Sequence, residues 1–171
     1  IILDGRLHRG AGGFGGELGH VPVAFEGRPC ICGARGCLKA FVAGPDLAAE
    51  GSRRLGRPVD AAALFDLAER GRSTAEGALA EAVLAEATEA LAAGLTIIVN
   101  GLNPERLLVA GSVGRAFARR ESDLRERLAR RAYKGAMATT RLAFLDLDKD
   151  TSVRGGAALV LYEQERGSRE G

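Results

Sequence analysis

The sequence predicts an α/β fold, and three observations predict it. The chain opens on a short apolar stretch, Ile1 to Leu3, followed by Asp4-Gly5, a hairpin-turn dipeptide. Two further short apolar runs, Arg106 to Ala110 and Leu142 to Leu147, are each followed by a segment suited to a helix. Between the opening hairpin and the first of these runs lies a long alanine-rich stretch of high helix propensity. A strand cluster followed by alternating strands and helices is an α/β layout.

Length and composition agree. At 171 residues the chain counts as one domain, long enough to bury a real core. Apolar residues make up 46% and charged residues 27%, the range of soluble globular proteins. The formal net charge of +2 is too small to argue for a nucleic acid or a membrane partner. No run reads as long and apolar enough to span a bilayer, and no signal-peptide pattern opens the chain. Cysteines held reduced fit a cytoplasmic setting. The first residue is Ile1 and not methionine, inside what reads as a strand, so the chain is expected to be the later part of a longer protein.

Arg6 to Arg9 is the expected return strand of the hairpin, and Gly10 to Gly16 a glycine-rich loop. Gly10-x-Gly12-x-x-Gly15 matches the dinucleotide fingerprint as a bare pattern, but Gly16 to Val23 reads as loop and strand where the fingerprint needs a helix. His20 to Phe25 alternates like a short strand, and a helix is expected to start within Cys37 to Val42. Gly44-Pro45 breaks it, with Asp46 as the cap of a helix running through Arg54. Asp60 caps the next helix, Ala61 to Arg70. Ser73 or Thr74, with Glu76 behind, opens a long helix through Ala80, Val83, Leu84, Ala87, Leu91 and Leu95 as far as Val99. Ile97, Ile98 and Val99 are expected in the core. Asn103-Pro104 ends that helix. After the strand Arg106 to Ala110 and the turn Gly111-Ser112-Val113-Gly114, one helix is expected from Arg115 to about Arg131, with Phe117, Leu124 and Leu128 on its apolar side. Gly155 to Glu165 reads as a small-residue helix that packs closely.

The chemistry concentrates in eighteen positions, His20 to Cys37. His20, Cys30, Cys32 and Cys37 form a Cys₃His set, a closed tetrahedral zinc pattern, and thiolates with an imidazole suit Zn²⁺ better than Mg²⁺ or Ca²⁺. The spacing is not that of a common zinc finger, because one residue separates Cys30 from Cys32. Gly33 and Gly36 allow the tight return to Cys37. A disulfide would leave one of three thiols over, and a Cys30–Cys32 bridge would be strained. Two other patterns are set aside. Asp146-x-Asp148-x-Asp150 opens like a calcium loop, but Thr151 and Ala157 stand where glycine and glutamate are required. The arginine-rich stretch after Arg115 carries Glu121, Asp123 and Glu126 four residues before Arg125, Arg127 and Arg130, as a solvated ion-paired face does. No aromatic residues interleave there to stack bases.

Gly16-Glu17-Leu18-Gly19-His20, then Cys30-x-Cys32-Gly33-x-x-Gly36-Cys37-Leu38, resembles the signature of the ROK family of repressors, open reading frames and sugar kinases. Weaker resemblance runs through Leu102 to Glu105, Arg106 to Gly111 and Gly155 to Ala158. The resemblance implies the C-terminal lobe of an actin-like, ribonuclease-H-like ATPase fold, a mixed sheet flanked by helices with a zinc-binding loop at 15–39. It implies a structural zinc ion, and it makes Glu17 and His20 contacts for sugar hydroxyls. A carboxylate is a strong acceptor for such hydroxyls. Sugar-binding members carry glutamate two residues after the last cysteine. Here Lys39 stands in that ligand position, with donors only. In kinase relatives the turn at Gly111 and Ser112 lies near the nucleotide, where helix N-termini attract anions; a tight packing turn is the equal alternative for these residues.

The catalytic aspartate of ROK kinases belongs to the preceding lobe, so no catalytic residue is assigned here, and this chain alone is not expected to catalyse phosphoryl transfer. The first reading is the effector lobe of a sugar-responsive transcriptional regulator. It would bind a sugar or sugar derivative, act on DNA through an N-terminal helix-turn-helix, and assemble as a homo-oligomer away from membranes. The alternatives are the C-terminal lobe of a ROK sugar kinase, which would need ATP and Mg²⁺, and a degenerate zinc-stabilised assembly module.

Overall fold

The computed structural model describes residues 2–3, 6–71, 73–147 and 150–167. The expected Asp4-Gly5 turn and Asp148 lie outside the described residues. The architecture is built around α4, Ala75–Leu102. Thr74 caps it, its hydroxyl oxygen accepting from the Gly77 N–H at 3.1 Å, and Asn103 in the left-handed region (φ 42°) ends it. Glu76 does not complete a capping box. It pairs with Arg57, Oε2 2.7 Å from the guanidinium.

An 18-residue window of α4 has a mean hydropathy of 1.7, and 56% of that window is buried inside the fold. One run is therefore long and apolar enough to cross a bilayer by length and composition, contrary to the expectation. Its apolar character serves packing on several sides: α1 (Lys39–Val42), α2 (Gly44–Leu55), α3 (Ala61–Arg70) and α6 (Glu121–Arg131) all lie against it. Val83, Leu84, Ala87, Leu91 and Val99 of α4 meet Leu47, Leu64, Phe65, Leu124 and Leu128 in one core. Ile97 is the exception to the expected apolar trio: it is exposed, while Val99 is fully buried. Two positions apart on a helix, they point to different faces.

The strands are few. β1 (Ile2–Leu3) pairs antiparallel with β2 (Arg6–Leu7), as the hairpin reading expects. β3 (Arg106–Ala110) pairs parallel with β4 (Arg141–Leu145), in register from Arg106↔Arg141 to Ala110↔Leu145. Parallel pairing demands a crossover. Here α5 (Gly111–Ala118), α6 and a short α7 (Lys134–Thr139) supply it.

Several boundaries differ from the sequence reading. The expected helix from Arg115 to Arg131 is two helices that break at Arg119-Arg120. The second stays on α4 because Arg120 donates to Glu81 at 2.8 Å and to the Thr88 hydroxyl at 2.9 Å. Asp46 caps nothing. Ala43 is the N-cap of α2, and Asp46 sits inside the first turn behind Pro45. Asp60 does cap α3, accepting from Ala63 N–H at 2.7 Å. His20 to Phe25 is not a strand: a 3₁₀ turn, Leu18–His20, leads into a single bridge from Pro22 to Cys37. The last helix, α8 (Asp150–Gly167), is longer than expected and does not pack closely. Val153, Val160 and Leu161 are exposed, and the Cβ positions of Gly155 and Gly156 face open space. It touches the opening hairpin, where the Tyr162 hydroxyl accepts from Leu7 N–H at 2.9 Å.

The expected arginine face is present. Glu121–Arg125, Asp123–Arg127 and Glu126–Arg130 are all paired. In the core, Phe117 is fully buried and meets Phe65 edge to face, centroids 5.6 Å apart. Phe117→Ala should cost about 3–5 kcal/mol of stability, read by chemical denaturation. Ile97→Ala, at an exposed site, should cost well under that.

Candidate metal centre and ligand face

The loop from His20 to Leu38 has almost no regular structure, so its shape comes from individual hydrogen bonds. Leu38 N–H donates to Val21 C=O at 2.9 Å, and Val23 N–H to Gly36 C=O at 2.8 Å. Gly36 N–H donates to Arg28 C=O at 2.8 Å, and Cys30 N–H to Ala34 C=O at 2.8 Å. Gly36 has to be glycine. Its φ is 75°, and a Cβ there would sit 1.8 Å from the Ala24 carbonyl oxygen. The loop is fixed to the core at its far end: a Cβ at Gly94 of α4 would lie 2.6 Å from Leu38 Cδ2, so that glycine makes room for the residue after Cys37.

These constraints bring His20, Cys30, Cys32 and Cys37 together, with all four ligand atoms within 4.8 Å of one another. Cys30 Sγ lies 3.4 Å from His20 Nδ1, and Cys32 Sγ 3.7 Å from Cys37 Sγ. Zinc–sulfur bonds near 2.3 Å and zinc–nitrogen bonds near 2.05 Å at tetrahedral angles put two sulfurs about 3.8 Å apart, and sulfur and nitrogen about 3.5 Å apart. The four groups fit a tetrahedral ion. Cys37 is fully buried and Cys32 is exposed. Burial pushes the Cys37 thiol up to about 11, and the neighbouring Cys32 and Cys30 sulfurs add to the rise. The Cys32 thiol moves the other way, chiefly through the Ala34 backbone hydrogen bond.

His20 presents Nδ1 to the cysteines. Its Nε2 lies 3.9 Å from Glu17 Oε2, beyond hydrogen-bond reach, and the Glu17 side chain is 65% exposed. Glu17 and His20 thus lie side by side, the carboxylate open to solvent. Lys39 is near Gly19, but its Nζ is committed to Asp46 Oδ2 at 3.0 Å. Gly111 and Ser112 begin α5. Ser112 lines a cavity of about 340 Å³ with Leu47, Phe65, Val113 and Arg119, which neither His20 nor any of the three cysteines lines. The expected site residues therefore fall into two separate groups.

The sequence reading missed the residues that clamp the loop from outside. Arg28 lies over the Phe41 ring at 4.7 Å and donates to Glu86 at 2.9 Å. Glu50 receives Arg53 and Arg54 and lies 3.8 Å from Arg28. The Arg53 guanidinium, helped by Arg54 and Arg28, holds the Glu50 carboxyl down at about 2. No local spacing carries such a signal, since Arg28 and Glu86 stand 58 positions apart.

The ROK family profile matches residues 1–163. The chain belongs to the ROK family. N-acetylmannosamine kinase of Vibrio cholerae is 30% identical over 116 residues, covering 68% of this chain and 38% of that protein. Two solved structures share the fold. One is a ROK family transcriptional regulator homologous to the E. coli MLC protein, with TM-score 0.66 and 25% identity over 83% of this chain and 37% of that one. The other is the ROK hexokinase of Thermus thermophilus, with TM-score 0.67 and 31% identity over 83% of this chain and 47% of that one. The chain spans less than half the length of each of these three proteins. The family carries the actin-like ATPase fold, of which the β3–β4 sheet and its flanking helices are part. Its members include both sugar kinases and regulators.

Two pH dependences are expected. Metal binding must strip protons from thiols, Cys37 above all, so titration with Co²⁺ in weak buffer should release protons, and affinity should fall as pH drops from about 8 to 6. Glu50 ionises more readily folded than unfolded, so its contribution is present above its ordinary value near 4.5 and is lost as pH falls toward about 2. Glu50→Gln should remove up to about 3 kcal/mol of that acid-side loss in urea melts across this window.

Proposed function

We propose that this chain is the effector-binding lobe of a sugar-responsive ROK transcriptional regulator, stiffened by a structural zinc ion. Zinc would be held by His20 Nδ1 and the sulfurs of Cys30, Cys32 and Cys37. Four protein ligands close the coordination sphere, which suits a structural ion and leaves no position for substrate. The ion fixes the loop that carries Glu17, whose free carboxylate would accept a sugar hydroxyl beside the His20 ring.

The observation that carries the regulator reading is Lys39. An ammonium replaces the carboxylate that the family resemblance calls for, and it is held by Asp46. The lobe has lost one sugar acceptor in favour of an internal ion pair. Weaker, reversible sugar binding serves a sensor, which needs occupancy and not turnover. Sugar binding at Glu17 and His20 would shift the population of lobe arrangements, read out on DNA by a helix-turn-helix elsewhere in a homo-oligomeric, cytoplasmic protein.

A second reading, the C-terminal lobe of an ATP- and Mg²⁺-dependent sugar kinase, draws on the 30% identity to N-acetylmannosamine kinase and on the Ser112 cavity at the start of α5. In that case α5 would face phosphate, and the catalytic base would come from the rest of the protein.

The intact protein decides between them. With ATP, Mg²⁺ and a panel of hexoses and N-acetylhexosamines, no ADP above background is expected, and a sugar should alter the mobility of a promoter fragment. Sugar-dependent ADP release would establish the kinase instead. Elemental analysis should find one zinc per chain, and Cys32→Ser should lower both zinc content and melting temperature. Unchanged values in that variant would remove zinc from the account.

A further inference from the structure

Of the three cysteines, Cys32 is the most open to solvent, Cys30 is partly buried, and Cys37 is the most deeply buried. Cys32 is exposed, Cys37 is 0% exposed, and their sulfurs lie 3.7 Å apart. Cys30 is turned to His20 Nδ1 at 3.4 Å. The chain between Cys32 and Cys37 includes Gly33 and Gly36, both at positive φ, so small backbone shifts can close the remaining gap between the sulfurs. A Cys30–Cys32 bridge has a single residue between its ends and no such slack.

We propose that Cys32 is a site of oxidation by hydrogen peroxide, and that Cys37 resolves it to a Cys32–Cys37 disulfide that dismantles the metal centre. The Cys32 sulfur attacks one peroxide oxygen. The O–O bond breaks, one water leaves once protonated, and Cys32 becomes a sulfenic acid. The Cys37 sulfur then attacks the Cys32 sulfur, the S–O bond breaks, and a second water leaves. Two thiols lose two electrons and two protons, and one peroxide becomes two waters. The disulfide sulfurs are poor donors, so only Cys30 and His20 remain of four ligands. A closed structural site needs all four. The ion leaves, and the loop between His20 and Leu38 keeps only its few backbone hydrogen bonds and the Arg28 clamp. Glu17 and His20 lose their fixed relation, so effector binding weakens under oxidation. This last step rests on the proposed zinc and sugar roles, whereas the disulfide itself does not.

Peroxide titration of the intact protein tests this, read by chromogenic zinc release, thiol counting and peptide mass. The expected result is one zinc released and two thiols lost within this loop per equivalent of peroxide, reversed by dithiothreitol with added zinc. Trypsin cuts after Arg35 and Lys39, so Cys37 lies on the peptide Gly36–Lys39, while Cys30 and Cys32 share the preceding one. The two peptides should appear joined, with fragmentation between Cys30 and Cys32 placing the bond on Cys32. A bond from Cys30, a sulfinic acid at Cys32 without a disulfide, or retention of both thiols would overturn the inference. Cys32→Ser should form no disulfide under the same titration. Should that variant fail to fold, alkylation of the folded wild type with substoichiometric iodoacetamide reads the same order of access: modification first at Cys32 supports the inference, and first at Cys37 overturns it. Absence of zinc before oxidation would count against the metal reading alone, and the joined peptide would still decide this one.

Discussion

Helix α4 sets the terms for almost everything else in this lobe. A helix of 28 residues that is apolar on several faces needs several partners. α1, α2, α3 and α6 all pack on it. Each partner then brings its own cargo. α6 is tied to the crossover that joins β3 to β4, and α1 begins directly after the cysteine loop. The loop, which has no ladder of its own, borrows its rigidity from α4 through Leu38 seated at Gly94 and through Arg28 reaching Glu86. The cluster of His20 and the three cysteines is thus irregular in backbone and still held to the core helix.

Legibility in the sequence tracked the range of the interactions. The helices capped by Asp60 and Thr74 were readable because a cap acts over three residues, and β3 because a short apolar run bounded by Pro104 and Gly111 leaves little choice. That His20, Cys30, Cys32 and Cys37 come together was readable from residue type and spacing. The break at Arg119-Arg120 was not, because it answers to Glu81 and Thr88 more than thirty positions away. Asp46 looked like a cap for the same local reason that Asp60 did. Pro45 in the first turn moved the helix start back, and Lys39 claimed the carboxylate. α7 and the exposure of α8 carried no local signal at all.

The ion pairs that lace α6 onto α4 form a chain. It runs from Glu81 to Arg120, Asp123, Arg127, Glu89 and Arg131, with Thr88 accepting from Arg120 beneath it. Every cation in that chain is an arginine, whose planar fork meets two acceptors without losing much further freedom. The cost of desolvating such groups falls on warming, because the water they order is released at a smaller penalty, while apolar burial gains little more. The seam between the core helix and the crossover is therefore of the kind that holds its strength as the protein is heated, and so is the clamp on the cysteine loop, where Arg28, Glu86, Arg54 and Glu50 form a second, smaller lattice.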